Sequence, residues 1–194
     1  MAGARKTKTE AKIQAALTEL LPAKGLVGIT VSDICRSAGI NRGTFYAHYV
    51  DKFDLVNKQI ESICREISDI VLAPGASGPN DCALFPKERV LACVTYVYDN
   101  YAFLAALSSN GTDNNLKQHV KDLIAELFER SATAHGISTR FAEDEYAREM
   151  LTSSVTSVFW LWLSKGCPET PQQITDIVWS HKSLSPEELV GGLA

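Results

Sequence analysis

The chain has 194 residues, of which 45% are hydrophobic and 22% are charged, a balance that is ordinary for globular proteins and argues against long disorder. Its net charge of −4 gives no sign that the molecule as a whole binds a polyanion. Residues 1–56, however, contain eight lysines and arginines and five acidic residues, so this part has a net charge of +3 and the remainder −7. Such asymmetry suggests a nucleic-acid contact at the amino-terminal end, although a modest imbalance is also common by chance.

Apolar residues recur at helical spacing almost throughout the chain, so we expect an all-helical protein. The first helix is predicted over about Thr7–Leu21, with Pro22 and Gly25 ending it. A second helix begins at Thr30, a good N-cap residue, with Asp33 as the acidic partner of a capping box. Its buried face follows the spacing of a helix that hides one side: Val31, Ile34, Cys35 and Ala38.

A tight turn follows the second helix. Gly39 can adopt the positive φ at which a helix stops abruptly, and Asn41 can cap a third helix, predicted over Arg42–Tyr49, only two residues later. Two short helices joined so closely cannot pack antiparallel and must cross steeply. The sequence therefore predicts a helix-turn-helix arrangement.

A fourth helix is predicted from Asp51, as its N-cap, to about Val71, and residues 73–81 form the clearest break in the chain. Further helical patterns predict a larger helical bundle, at about 86–100, 101–108, 114–135, 140–165 and 171–183. We therefore expect a helix-turn-helix domain over residues 1–52 and a larger helical domain over 53–194.

The third helix has an outward face suited to a DNA major groove. Phe45 and Tyr49 lie four residues apart and are expected to anchor the helix in the core. The remaining side chains would face DNA, with base contacts expected from Arg42 and Thr44 and other contacts from Gly43, Tyr46 and His48. Phosphate contacts are expected from three residues at helix starts, namely Thr30, Val31 and Lys52. The alternative is an ordinary surface on a tight helical corner.

Residues 30–55, TVSDICRSAGINRGTFYAHYVDKFDL, resemble the signature of the TetR family of transcriptional regulators. The matching positions are Thr30, Ile34, Ala38, Gly39, Ile40, Gly43, Thr44, Phe45, Tyr46, His48, Lys52 and Leu55. The departures from the family pattern are Cys35, Asn41, Tyr49 and Phe53, of which only Phe53 changes the character of the surface.

The resemblance implies a homodimer that binds a near-palindromic DNA operator and is released from it by a small molecule, most simply as a repressor. It also implies that residues 53–194 are the regulatory and dimerisation domain. The dimer contact would come from the last two long helices, through Ser153, Ser157, Trp160, Ile174, Ile177 and Val178. A pocket for the effector would be lined by aromatic residues of the larger domain: Tyr96, Tyr98, Tyr101, Phe103, Phe128, Phe159 and Trp162. For each of these residues plain core packing is the competing interpretation.

Other classes of function receive little support from the sequence. We expect no enzyme, because the chain lacks GxSxG, P-loop, HExxH and Rossmann motifs, although spatial pairing of catalytic residues stays open. The five cysteines and four histidines show no zinc spacing, so no metal or cofactor is expected. The amino terminus lacks the apolar run of a signal peptide and no run is long enough to span a membrane, which favours a cytoplasmic protein without a membrane partner. A regulator of the same fold that acts through a protein partner remains an alternative to one with its own operator.

Overall fold

The computed structural model describes residues 7–73, 85–108, 113–134, 136 and 145–181. All regular structure within these residues is helical, which confirms the predicted fold class. The helices are α1 (Lys8–Gly28), α2 (Val31–Ala38), α3 (Arg42–Tyr46), α4 (Lys52–Leu72), α5 (Lys87–Asp99), α6 (Tyr101–Ser108), α7 (Asp113–Ala134), α8 (Glu145–Ser164) and α9 (Pro171–His181). Most of the predicted break at 73–81, and the ends of the predicted helices at 140–144 and 182–183, lie outside the described residues.

The predicted end of α1 was wrong in one respect. Pro22 lies inside the helix, and the helical backbone is first interrupted at Gly25, whose φ is 63° and ψ 160°. Only glycine adopts that conformation without strain, whereas proline lacks just one backbone donor and can stay within a helix held by tertiary packing. Thr7 begins the helix with a capping box to Glu10, whose carboxylate accepts the Thr7 N–H at 2.7 Å.

The helix-turn-helix geometry follows the prediction closely. Thr30 and Asp33 form the capping box of α2, and Gly39 ends that helix in the left-handed conformation, with φ 64° and ψ 39°. Asn41 caps α3. The predicted length of α3 was wrong, because the helix ends at Tyr46 and the next residues form a turn that precedes α4.

The core of this amino-terminal part is apolar and well buried. α1 packs against α2, and α2 against α3. The buried side chains come from all four helices, from the linker between α1 and α2 and from the turn after α3, and include Ile13, Leu17, Leu21, Ile29, Ile34, Phe45, Tyr49, Leu55 and Ile60. The predicted N-cap of α4 is confirmed, since the Asp51 carboxylate accepts the backbone N–H groups of Phe53 and Asp54, both at 2.8 Å.

The chain divides into two compact units that do not follow a single cut in the sequence. One comprises Met1–Ser68 and Ala102–Leu123, and the other Asp69–Tyr101 and Ile124–Ala194. The expected domain boundary after residue 52 stays a prediction. In the second unit α5 packs against α9, and Lys87 Nζ lies 2.7 Å from a carboxylate oxygen of Asp176.

Candidate nucleic-acid interface

The start of α3 is fixed by one side chain, that of Asn41. Its Oδ1 accepts two hydrogen bonds from Thr44, one from the backbone N–H at 2.7 Å and one from the hydroxyl at 3.0 Å. A Cβ added at Gly43 would come within 3.2 Å of the same oxygen, so glycine leaves room for the cap. The cap thus satisfies the Thr44 N–H, one of the backbone donors that the first turn of a helix leaves without a partner inside the helix.

The inward face of α3 is held by the two predicted anchors. Phe45 is fully buried and Tyr49 nearly so, with their ring centroids 5.6 Å apart. Burial raises the pKa of the Tyr49 phenol above its ordinary value. These contacts fix which face of the short helix is turned to solvent.

The outward face contains a polar pair one helical turn apart. An Arg42 guanidinium nitrogen donates to the Tyr46 hydroxyl at 3.4 Å, and the guanidinium carbon lies 5.9 Å from the centre of the Tyr46 ring. Arg42 is exposed and Tyr46 is 50% exposed. An exposed arginine held over an aromatic ring keeps several donors free for base edges or phosphates.

His48 lies in the turn after α3 and faces the first turn of α1. Its Nδ1 lies 3.6 Å from Oε1 of Glu10, and the two form an ion pair when the imidazole is protonated. The pKa of Glu10 is lowered, first by the hydrogen bond from the Thr7 backbone N–H and less by His48. The His48 imidazole, which was predicted to contact DNA, therefore also lies next to the Glu10 carboxylate.

The two predicted phosphate contacts at the start of α2, Thr30 and Val31, differ in exposure, and the Thr30 hydroxyl is already hydrogen-bonded within the protein. The Thr30 hydroxyl is part of the capping box, because it accepts the Asp33 N–H at 3.1 Å and donates to the Asp33 carboxylate at 2.8 Å. That carboxylate also contacts Lys24 at 3.0 Å, and its pKa lies far below the ordinary range, first because of the Thr30 hydroxyl and then because of Lys24. Thr30 is exposed and Val31 is half-buried, and the N–H groups of the first turn point out of the helix.

Lys52 has an arrangement that the sequence did not predict. Its ammonium donates to two backbone carbonyls, of Val27 at 2.8 Å and of Ile29 at 2.7 Å. The N–H groups beside it at the start of α4 are bound by the Asp51 carboxylate. The ammonium group of Lys52, which was predicted to contact a DNA phosphate, is thus already hydrogen-bonded to the protein backbone.

Comparison with known proteins identifies the family. Residues 13–58 match the family model described as bacterial regulatory proteins, tetR family, and residues 86–179 match that described as transcriptional regulator C-terminal region. The chain belongs to the TetR family. It is a transcriptional regulator with a helix-turn-helix DNA-binding domain, and the families and the relative that it matches are transcriptional regulators, not enzymes.

Individual relatives of this TetR-family regulator are distant. The HTH-type transcriptional regulator YxbF of Bacillus subtilis (strain 168) is 28% identical over 171 residues, which is 87% of this chain but 43% of YxbF. The chain therefore spans less than half the length of this relative. The fold resembles that of the fatty acid degradation regulator FadR from Bacillus halodurans, with a TM-score of 0.63, 19% identity and 98% of each chain covered. It also resembles FadR from Bacillus subtilis in complex with stearoyl-CoA, with a TM-score of 0.58, 14% identity, and 88% of this chain and 96% of the other covered.

The predicted effector-pocket residues fall into separate groups in the regulator. In the second unit the Tyr98 ring stacks on Trp162 at 6.1 Å, and Phe159 contacts Trp162 edge-on at 6.4 Å. The Trp162 indole is buried and donates to the Glu169 carbonyl at 3.1 Å. The remaining predicted residues are more scattered: Phe128 packs on Phe85, Tyr96 lies within α5, Tyr101 begins α6, and Phe103 is buried in the first unit.

A small cavity of about 70 Å³ lies in the first unit, lined by Leu26, Phe53, Val56, Asn57, Ile60, Leu107 and Leu116. None of the predicted pocket residues lines it. Ligand pockets in proteins typically measure about 300–1,000 Å³, so this cavity is too small for an effector of ordinary size.

The predicted dimer residues differ in exposure. Ile174 is only 5% exposed and belongs to the core of its own unit, whereas Ser157 and Ile177 are exposed and Ser153, Trp160 and Val178 are half-buried. Sequence reasoning missed the large apolar side chains that share the same α8 face, Tyr146, Met150 and Leu161. Their spacing of four and eleven residues was the available signal.

The described residues contain no metal-ligand cluster and no single membrane-spanning helix. Within the described ranges no three histidine, cysteine or acidic side chains are grouped as metal ligands would be. No single described helix is long and apolar enough to cross a membrane, and α5 with α6 reaches that length only as a bent pair.

Proposed function

We propose that this TetR-family regulator is a cytoplasmic homodimer that binds a near-palindromic operator, represses transcription there, and releases the DNA when a small molecule binds its larger part. The family places a DNA-binding domain at the amino terminus. The operator, the dimer and the effector are each supported by a separate feature of the molecule.

The operator proposal is supported by the exposed face of α3. Arg42, Thr44 and Tyr46 lie within five residues, and no acidic side chain occurs between residues 34 and 50. Arginine and threonine are residues that distinguish base pairs in the major groove, through paired donors and through a hydroxyl with a methyl group. We therefore assign base contacts to Arg42 and Thr44, and backbone contacts to Tyr46, Gly43, His48 and the start of α2 at Thr30 and Val31.

The homodimer proposal is supported by an exposed stripe on α8, and this is the observation that carries it. Tyr146 is 82% exposed, Met150 75% and Leu161 55%, and together with Ser153 and Ser157 they lie on one side of the helix. Exposed apolar patches mark interaction surfaces, and Tyr and Met are enriched at protein interfaces. Ile177 of α9 is a further exposed apolar side chain of the second unit.

The effector proposal is supported by the aromatic residues of the second unit and by a structural neighbour. FadR from Bacillus subtilis is described in complex with stearoyl-CoA. We propose a largely apolar effector, and we retain Tyr96, Tyr98, Tyr101, Phe128 and Phe159 as its predicted contacts. Trp162 is buried in contact with the Tyr98 and Phe159 rings and is better assigned to their support, whereas Phe103 is buried in the first unit and is assigned to the core of that unit.

The dimer is tested by placing a charge on the α8 stripe. Leu161→Arg should convert the dimer to a monomer in analytical ultracentrifugation and weaken operator binding at least tenfold, because a buried unpaired charge opposes association. Arg148→Glu, a change of charge at an exposed position on the opposite side of the same helix, should leave the mass unchanged. A monomeric wild-type protein would refute the proposal.

Repression and release are tested with DNA from upstream of the regulator's own gene. The wild type should retard this DNA in a gel shift and lower expression of a reporter placed behind it. Stearoyl-CoA and the free fatty acid are the first effector probes, and release of the DNA by either supports the effector class. Increased reporter expression would contradict repression, and retardation that requires an added protein would favour the partner-dependent alternative.

A further inference from the structure

Lys52 closes the carboxyl end of α1. Its ammonium donates to the Val27 carbonyl, in the last turn of α1, and to the Ile29 carbonyl, at the C-cap of the same helix. The last turn of α1 contains no basic residue. Unpaired carbonyls at a helix end attract cations, so Lys52 supplies from α4 the charge that α1 lacks. The next residue after this contact is Thr30, the N-cap of α2.

Lys58 makes the equivalent contact just after the end of α3, the helix proposed to contact DNA bases, which we call the recognition helix. Its ammonium donates to the His48 carbonyl at 3.1 Å, in the turn that follows α3, and to the Asp54 carboxylate at 3.0 Å. It also lies 5.4 Å from the centre of the Tyr49 ring. α3, like α1, has no basic residue in its last turn. Lys58 thus contacts the backbone, and one anchor, of the segment that faces DNA.

We propose that Lys52 and Lys58 are positioning residues that fix the helix-turn-helix to α4 and do not neutralise DNA phosphates. One holds the linker from which α2 starts, and the other holds the end of α3. Since both ammonium groups are on the first two turns of α4, that helix determines where both DNA-facing segments lie. The proposal rests on the DNA-binding role assigned above, and it reassigns Lys52 from the phosphate contacts.

The two roles differ in what they do to DNA binding. A phosphate contact contributes equally to specific and non-specific DNA, and each adds about 0.9 to the slope of log affinity against log salt. A positioning residue acts through α3 and its base contacts. Its loss should weaken binding to the selected sequence alone and should leave the salt slope unchanged.

The test uses Lys52→Met and Lys58→Met in the full chain. The probes are a duplex enriched by the wild type from random DNA and a scrambled duplex of equal length, measured by fluorescence anisotropy over a series of salt concentrations. We expect affinity for the enriched duplex to fall about tenfold and affinity for the scrambled duplex to change less than about twofold, at an unchanged slope. Lys58→Arg, which keeps a cationic donor within reach of the His48 carbonyl, should restore most of the specific affinity.

Arg65→Met is the matched control, because it removes an exposed positive charge from α4 at a position farther along the chain from the helix-turn-helix. A slope that falls by about 0.9 for each protomer in Lys52→Met or Lys58→Met, with equal losses on both duplexes, would overturn the proposal in favour of phosphate contact. Unchanged affinity for both duplexes would overturn it as well.

Hydrogen exchange gives a second readout that needs no DNA. The Ile29 amide, bonded to the Gly25 carbonyl at 3.2 Å, should exchange faster in Lys52→Met. The His48 and Tyr49 amides, bonded to the Phe45 carbonyl at 3.0 Å, should exchange faster in Lys58→Met. Unaltered exchange at these amides would refute positioning, whereas failure of the wild type to enrich any sequence would refute the operator proposal and leave this result to decide the role of the lysines.

Discussion

Replacing Asn41 separates the stability of the recognition helix from its contact with DNA. Asn41→Ala removes the oxygen that accepts both the Thr44 N–H and the Thr44 hydroxyl. Loss of an N-cap side chain costs about 0.5–2 kcal/mol, and because this cap is bonded at 2.7 Å in a helix of only five residues we expect a value near 1.5 kcal/mol. The freed Thr44 hydroxyl also loses its fixed orientation, so operator discrimination should fall together with stability.

Two matched variants divide these effects. Asn41→Ser and Asn41→Asp both keep a capping oxygen and should stay within about 0.5 kcal/mol of wild type, since Ser, Asp and Asn are similar N-caps. Asn41→Asp adds a negative charge to a surface that approaches phosphates, so it alone should weaken DNA binding while the fold stays intact. The assays are urea unfolding followed by circular dichroism and hydrogen exchange of the Thr44 amide. An Asn41→Ala protein as stable as wild type, with an unaltered Thr44 amide, would refute the assigned cap.

Three other outcomes follow from the amino-terminal unit. Gly39→Ala should lower the free energy of unfolding by between about 1 and 2 kcal/mol in urea titrations, because its φ of +64° strains any residue with a Cβ even though nothing lies within 4 Å. Arg42→Lys should lose about 1–3 kcal/mol of discrimination at one base pair of the operator in competition binding, since lysine cannot make the paired contact of a guanidinium. The pKa of Asp54 is lowered from 3.8, first by the hydrogen bond from the Val50 N–H and then by Lys58. The stability that Asp54 contributes is therefore present above pH 3.8 and is lost as the pH falls through the lower pKa of the folded state. Asp54→Asn should show a smaller decrease of the urea midpoint on acidification than the wild type.

Helix positions could be predicted from the sequence because local rules decide them. Thr30, Gly39 and Asn41 act through their own side chains or their own backbone, and the structure confirms all three as helix boundaries. The prediction failed at Pro22, where the choice between kink and continuation depends on packing around α1 that no local pattern encodes. It also extended α3 to Tyr49, because the spacing of Phe45 and Tyr49 is the same whether the last turn is helical or irregular.

The sequence indicated which types of residue form the candidate site, but it did not indicate which other residues they contact. The sequence indicated that Lys52 is a cation at a helix start, which is equally suited to a phosphate or to a carbonyl. Only the structure brings it to Val27 and Ile29, residues 25 and 23 positions earlier in the chain. The pairing of His48 with Glu10 joins residues still farther apart in the sequence, and the sequence did not predict it either. Such contacts depend on how the helices cross, which periodicity does not specify.

Enrichment of random-sequence duplexes by the wild-type protein, repeated with Arg42→Ala and Thr44→Ala, is the most direct test of the proposal that α3 reads an operator as one half of a homodimer. We expect the wild type to enrich a near-palindromic sequence with half-sites separated by at least about one helical turn, roughly 34 Å. Each variant should relax the preference at symmetry-related positions of both half-sites. Enrichment of no sequence, or of one whose preferences are unaltered in both variants, would contradict the proposal.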